Sequence, residues 1–151
     1  MSVETMLLAG YIFSWQFPHF YGILYENKDD YKRAGFKMLS NEDPTGQQAF
    51  THIAACTIVN SLVPLGMLYT GMINPLFLAP FYFYQAKYMQ AVWDFKKNEA
   101  SVNSSKKLKK QSYMPFMVLL AGFMVSTAYN RHQKRKENKE LLVEAPEQSA
   151  Q

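Results

Sequence analysis

The chain has 151 residues, a length typical of a single domain, and its 16 basic and 12 acidic residues give a net charge of +4. None of these charges lies in residues 5–25, 44–86 or 111–130. This distribution argues against a water-soluble fold, because a helix that crosses a bilayer needs about 20 uncharged residues. The three blocks predict one, two and one membrane spans. The basic clusters at residues 96–110 and 131–139 lack interleaved aromatic residues, so we expect no nucleic-acid binding.

The first predicted span covers residues 5–25 and contains a proline and a histidine in its second half. Pro18 removes one backbone donor and predicts a bend in the helix. His19 follows it directly. An ionisable side chain inside a span is a functional candidate by default, although a hydrogen bond to a neighbouring helix is its more common role.

A charged loop, residues 26–48, follows the first span. Five charged side chains lie close together in it: Lys28, Asp29, Asp30, Lys32 and Arg33. The pattern predicts a short helix that ends at Gly35. Carboxylates at a membrane rim can share a Mg²⁺ ion with substrate phosphates, and the bases would bind the same phosphates. Such a site would suit a lipid diphosphate that loses pyrophosphate, whereas most charged loops are only solvated loops.

The rest of the chain alternates apolar and polar segments. We predict spans at residues 49–70 and 76–94, a lysine-rich loop at residues 95–112, a fourth span at residues 113–130 and a polar tail at residues 131–151. The tail is expected to begin as a helical extension and to end disordered. His52 and Asn60, eight residues apart, are expected to hydrogen-bond to neighbouring helices rather than to bind a ligand.

The alternation of spans places the two charged loops on one side of the membrane and the termini on the other. The loops carry more basic residues than the tail, which favours the cytoplasmic or matrix side for them.

Two segments carry a resemblance to a known family. The sequences WQFPHF at Trp15–Phe20 and DYKRAGFKML at Asp30–Leu39 resemble those of protohaem IX farnesyltransferase (haem O synthase), a membrane prenyltransferase. The resemblance extends through Tyr129 and is stronger to the mitochondrial form. It implies an all-α, polytopic membrane protein of about four transmembrane helices, equivalent to the C-terminal half of a nine-helix bundle.

The resemblance also implies an activity and the residues that perform it. The enzyme would transfer farnesyl from farnesyl diphosphate to haem B in haem A biosynthesis, in the mitochondrial inner membrane with the charged loops on the matrix side. Asp30 and Arg33 are the implied catalytic residues, and Asp29 and Asp30 the implied Mg²⁺ ligands. The implied substrate-binding residues are Trp15, His19, Lys28, Tyr31 and Lys32, with His19 facing the haem as an iron ligand or propionate partner.

Two hypotheses follow from a departure from the family pattern. The chain lacks the family's earlier NxxxDxxxD motif, which supplies the facing wall of the site. It is therefore either a C-terminal fragment or split subunit that works with a separate chain carrying the N-terminal half, or a non-catalytic assembly factor or respiratory-complex accessory subunit.

Overall fold

The structure is a computed structural model that describes the backbone of residues 2–148 and the side chains of residues 2–139. Its helices are α1 Val3–Glu26, α2 Lys28–Arg33, α3 Leu39–Glu42, α4 Gln47–Tyr69, α5 Leu78–Lys97 and α6 Val102–Gln148. A short 3-10 turn, Pro75–Phe77, precedes α5. No β-strand occurs in residues 2–148. The predicted all-α class is therefore confirmed.

The four long helices form an antiparallel bundle in which the neighbours around the ring are α1, α4, α5 and α6. Along the α1–α6 interface, Tyr11 stacks on Phe116 and Glu26 pairs with Lys109, so residue numbers run in opposite directions. The other three interfaces show the same reversal. The connections at residues 27–46 and 98–101 therefore lie at one end, here called the rim end. The α4–α5 turn and the N-terminus lie at the other.

Two apolar clusters fill the bundle, with a polar layer between them. The cluster at the rim end comprises Tyr25, Ala49, Ile53, Tyr88, Val92, Phe95, Ala100 and Leu108. The cluster at the opposite end comprises Tyr11, Met67, Met72, Ile73, Phe81 and Leu119. Both polar residues singled out in α4 bond to α1: Asn60 accepts from Ser14, and the Nδ1 atom of His52 lies 2.8 Å from the Tyr21 hydroxyl oxygen. The predicted interhelical hydrogen bonds are confirmed.

Two helices in the described part of the chain are long and apolar enough to cross a membrane. They are α4, over Gln47–Tyr69, and α6, over Val102–Lys139. The first predicted span falls within α1, and the third, residues 76–94, covers the end of the 3-10 turn and most of α5. Polar residues such as Gln16 and His19 in α1, and Lys87 and Asp94 in α5, lower the mean hydropathy of those two helices.

The short helix predicted in the charged loop is present as α2, and Gly35 ends it. Gly35 has a φ of +77°, which glycine adopts without strain. The backbone N–H of Phe36 donates to the carbonyl oxygen of Tyr31 at 3.0 Å, and their rings are in contact. This is the hydrogen bond and apolar contact of a Schellman helix end.

The prediction of a lysine-rich loop at residues 95–112 is wrong. Only residues 98–101 connect α5 to α6, and the lysines at 106–110 lie in α6. Lysine is a good helix former, and the buried positions Ser104, Ser105, Leu108 and Ser112 recur with helical spacing. The Ser101 hydroxyl accepts from the Ser104 N–H at the start of the helix. The high density of lysines thus led to the prediction of a loop where the amphipathic first turns of α6 lie.

The polar tail does begin as a helical extension, because α6 continues without interruption to Gln148. Its side chains at residues 131–139 are exposed. The tail is also expected to end disordered, and its last residues, 149–151, lie outside the described residues.

At Gly22 the backbones of α1 and α6 approach each other closely. A Cβ atom at this position would lie 2.9 Å from the Cβ and 3.0 Å from the backbone nitrogen of Lys109. Backbone cannot rotate away as a flexible side chain can, so Gly22→Ala must separate the two helices. We expect it to lower the free energy of unfolding by about 1–3 kcal/mol, measured by thermal unfolding in detergent with circular dichroism.

The matched control is Gly10→Ala, in the same helix. A Cβ atom at Gly10 meets nothing within 4 Å, so this change should be neutral or stabilise the protein by up to about 1 kcal/mol through helix propensity. Equal midpoints for the two variants would contradict the tight α1–α6 contact.

Candidate active site at the rim end of the bundle

The segment Trp15–Phe20 distributes its side chains over different faces of α1. Trp15 and His19 face α6. Pro18 is buried inside the bundle, whereas Phe17 and Phe20 are exposed on the outer face of α1. The helical spacing of the segment therefore divides it into a packed side and an open side.

His19 lies in an aromatic setting between α1 and α6. Its ring stacks on Trp15 with a centroid separation of 4.9 Å and meets the edge of Tyr113 at 4.5 Å. The Nδ1 atom is 3.0 Å from the Ser112 hydroxyl oxygen, and the indole N–H of Trp15 donates to the Ser112 carbonyl oxygen at 2.8 Å. Only 6% of His19 is exposed. Ser112 of α6 thus contacts both Trp15 and His19.

An apolar pocket of about 270 Å³ lies on the outer face of α1, beneath the charged connection. Its lining is Phe17, Phe20, Tyr21, Ile23, Leu24, Tyr31 and Met38. Tyr31 from α2 and Met38 before α3 cover residues of α1 to form it. The pocket is suited to a hydrocarbon chain because its lining is almost wholly apolar. The sequence prediction included Tyr31 but missed Phe17 and Phe20, which the i, i+3 spacing on one helix face could have indicated.

The charged residues of α2 lie at the surface beside this pocket. Asp29 and Asp30 are exposed, as are Lys32 and Arg33, whereas Lys28 is half-buried. Arg33 forms an ion pair with Asp30, one turn away. Such an exposed pair contributes little to stability. The two side chains can therefore separate and contact a ligand at little cost in free energy. The two predicted catalytic residues are therefore in contact with each other.

The donor set of α2 fits a Mg²⁺ ion only in part. No group of three or more His, Cys, Asp or Glu side chains among the described residues could hold a metal. Mg²⁺ needs only one or two protein carboxylates when phosphates and water complete its shell. Asp29 and Asp30 are hard oxygen donors and satisfy that smaller requirement.

A third carboxylate, Asp43, has a structural role that the sequence prediction missed. Its carboxylate accepts the backbone N–H groups of Gln47, Gln48 and Ala49 at 2.8–3.1 Å, and the Tyr25 hydroxyl contacts it. Asp43 is 6% exposed. Burial acts to raise the pKa of this carboxyl, but the backbone and Tyr25 hydrogen bonds together hold the pKa below its usual value. Asp43 therefore caps α4 as an anion.

The predicted site residues form two groups rather than one. Trp15 and His19 lie between α1 and α6, while Tyr31 joins Phe17 and Phe20 in the outer pocket near Asp30 and Arg33. Seven residues separate His19 from the end of α1, which corresponds to roughly 10 Å along the helix axis. The rim end thus combines three features: the His19 imidazole inside the bundle, the apolar pocket on the outer face of α1, and the charged surface of α2 beside that pocket.

These features define a class: an all-helical protein with two helices long and apolar enough to cross a membrane, and with an apolar pocket beside a charged surface at one end. Comparison with known proteins finds relatives that share one name. A relative from Dinoroseobacter shibae is 30% identical over 120 residues, covering 79% of this chain and 38% of its own. One from Cytophaga hutchinsonii is 29% identical over 134 residues, covering 83% and 44%. Both are named protoheme IX farnesyltransferase, and so is a mitochondrial relative from Emericella nidulans, 27% identical over 125 residues, covering 83% and 24%.

The chain is therefore related to the protoheme IX farnesyltransferases. It spans less than half the length of these curated relatives, which fits the C-terminal portion of such a protein. No protein-family model and no solved structure matches the chain.

Proposed function

We propose that the chain is the C-terminal part of a protohaem IX farnesyltransferase, an enzyme that joins a farnesyl group to haem B. The similarity to the Dinoroseobacter shibae enzyme over 79% of the chain carries this proposal. The positions of the two motifs support it, because the apolar pocket and the charged helix α2 adjoin each other. An isoprenoid diphosphate has the same division into an apolar chain and an anionic head.

We infer four membrane spans, one in each long helix, as half of a nine-helix bundle. The antiparallel ring of α1, α4, α5 and α6 supports this count. The mitochondrial relatives favour the mitochondrial inner membrane, with the rim end on the matrix side as the basic loops indicate.

The charged residues of α2 would bind the diphosphate. Arg33, with Lys28 and Lys32, would pair with phosphate oxygens, and Asp30 with Asp29 would hold Mg²⁺. When bound, Mg²⁺ would neutralise charge on the departing pyrophosphate. Separation of the Asp30–Arg33 pair would free both side chains for these roles at little cost, since both are largely exposed.

The apolar residues would hold the two organic groups. Phe17, Phe20 and Tyr31 would line the farnesyl chain, and Trp15 with His19 would face the haem. The farnesyl C–O bond would break, pyrophosphate would leave with the bonding pair, and the vinyl π electrons of haem B would form the new C–C bond. Water would discharge the remaining positive charge with loss of a proton, giving haem O.

The outer pocket is open on the side away from the bundle, where Phe13, Phe17 and Phe20 are 42–64% exposed. Exposed aromatic residues on a membrane helix beside a half-enclosed pocket are suited to cover by further helices. We propose that a separate polypeptide with the N-terminal half, including the first aspartate motif, supplies them.

The proposal is tested by coexpression in a strain that lacks haem O synthase. We expect this chain together with an N-terminal chain that carries NxxxDxxxD to restore haem A and oxidase activity. A matched strain with only the N-terminal chain should remain deficient. Failure of every pairing, combined with stoichiometric co-purification of this chain with an oxidase complex, would contradict the enzyme assignment and favour an accessory subunit.

A further inference from the structure

Ser112 is the residue at which the two packed side chains of the WQFPHF segment meet. It lies in α6 and is fully buried, with an exposed fraction of 0%. Its carbonyl oxygen accepts the indole N–H of Trp15, and its hydroxyl oxygen lies 3.0 Å from the Nδ1 atom of His19. The same hydroxyl donates to the carbonyl oxygen of Lys109 at 2.7 Å.

The proton count at this serine determines the state of the histidine. A serine hydroxyl has one hydrogen, and a carbonyl oxygen can only accept. Because the Ser112 hydrogen is donated to Lys109, the hydroxyl oxygen is left to accept from His19. With the hydroxyl hydrogen assigned in this way, the Nδ1 atom carries the ring proton, and in a neutral imidazole the Nε2 atom keeps a free lone pair.

The Nε2 atom is not closed off from the surface. Buried side-chain polar atoms without a partner in the described residues belong to Ser40, Asn60, Gln85 and Ser105. Nε2 makes no hydrogen bond among the described residues and is not one of these atoms, so it shares in the small exposure of His19. Stacking on Trp15, with ring planes 16° apart, fixes the direction of the ring.

We propose that Ser112 is a positioning residue: it holds His19 in the Nδ1–H tautomer so that the Nε2 lone pair is presented to haem. The haem part of this inference rests on the proposed function. Partners of the second imidazole nitrogen commonly set the tautomer and orientation of an iron-binding histidine, and their loss typically costs about 10–100-fold in metal affinity. The competing role for Ser112 is a simple interhelical hydrogen bond.

The first experiment needs no substrate. The full chain in detergent micelles is labelled at both histidine ring nitrogens, in a His52→Gln, His132→Gln background that leaves only His19. Nitrogen NMR should show a protonated Nδ1 and an unprotonated Nε2. We expect Ser112→Ala to shift the population toward the Nε2–H tautomer. The helical circular dichroism should be unchanged, since the alanine side chain is nearly isosteric with that of serine.

Ser105→Ala is the matched control. It makes the same substitution in the same helix at a position with 0% exposure, and the Ser105 hydroxyl has no partner among the described residues. Its His19 spectrum should equal that of the parent. A tautomer that is unchanged by Ser112→Ala, or an Nε2–H tautomer in the parent chain, would overturn the role of Ser112.

The second experiment titrates the same proteins with haem B and follows the absorption spectrum. Ser112→Ala should bind haem about 10–100-fold more weakly than the parent, and Ser105→Ala should bind it equally well. Equal affinity in Ser112→Ala despite a changed tautomer would also overturn the positioning role. Absence of haem binding by the parent chain would instead contradict the proposed function, so the two failures are distinguishable.

Discussion

Replacing Asp30 by alanine is expected to reduce farnesyl transfer roughly 100-fold or more in the coexpressed enzyme, because it removes a carboxylate that stabilises the charge of the leaving pyrophosphate. Haem O in membrane extracts, measured by chromatography, checks this result. The Asp30–Arg33 pair is exposed, so its loss should leave the helical content and expression level unchanged. The activity loss can therefore be separated from unfolding.

Asp94→Ala is the control for this variant. Asp94 is also a carboxylate at the rim end and also forms an ion pair, with Lys107, but it connects α5 to α6 away from α2. We expect its activity to stay close to that of the parent. If Asp94→Ala and Asp30→Ala lose activity to the same extent, general loss of charge at the rim end explains the effect and the catalytic role of Asp30 is contradicted.

Replacing Asp43 by alanine is expected to produce the largest loss of stability, about 3 kcal/mol in the free energy of unfolding. The variant leaves three backbone N–H groups at the start of α4 without their acceptor. It also removes the carboxylate acceptor of the Tyr25 hydroxyl, which keeps its hydrogen bond to the backbone carbonyl oxygen of residue 43. Unfolding of the purified chain in detergent, followed by circular dichroism, measures the effect. Asp29→Ala removes an exposed carboxylate from the same connection and should change the midpoint little.

The same carboxylate gives stability a defined pH dependence. The pKa of Asp43 is lower in the folded chain than its usual value, so the folded state favours the anion. The stabilisation is present above the unfolded-state pKa of about 3.9 and is lost as the pH falls through the lower folded-state pKa. The parent should therefore lose stability over that acidic range more steeply than Asp43→Ala. Parallel pH profiles would contradict the capping role.

The helices and the overall class could be predicted from the charge distribution. The uncharged blocks correspond to α1, to α4 with the first half of α5, and to the middle of α6, and the glycine at position 35 correctly ends α2. The start of α6 could not be predicted from charge, because lysines favour a helix as readily as they favour solvent. There the small buried residues, spaced at helical intervals, were the better indicator.

The site was only partly predictable, since its important contacts join residues distant in sequence. His19 and Ser112 are 93 positions apart, and Tyr25 and Asp43 belong to different elements. The histidine, the tryptophan and the acids of α2 stood out as unusual residue types near a membrane boundary. Ser112 and Asp43 did not, because a serine in a helix and an aspartate before a proline are common in any chain.

The central claim is that this chain contributes one wall of a farnesyl-transfer site, and product formation tests it most directly. Membranes containing this chain and an N-terminal chain with the first aspartate motif are incubated with haem B, farnesyl diphosphate and Mg²⁺, and the haems are identified by mass spectrometry. We predict haem O only when both chains are present, and its loss with Asp30→Ala. Haem O formed equally well without this chain, or undiminished with Asp30→Ala, would contradict the claim.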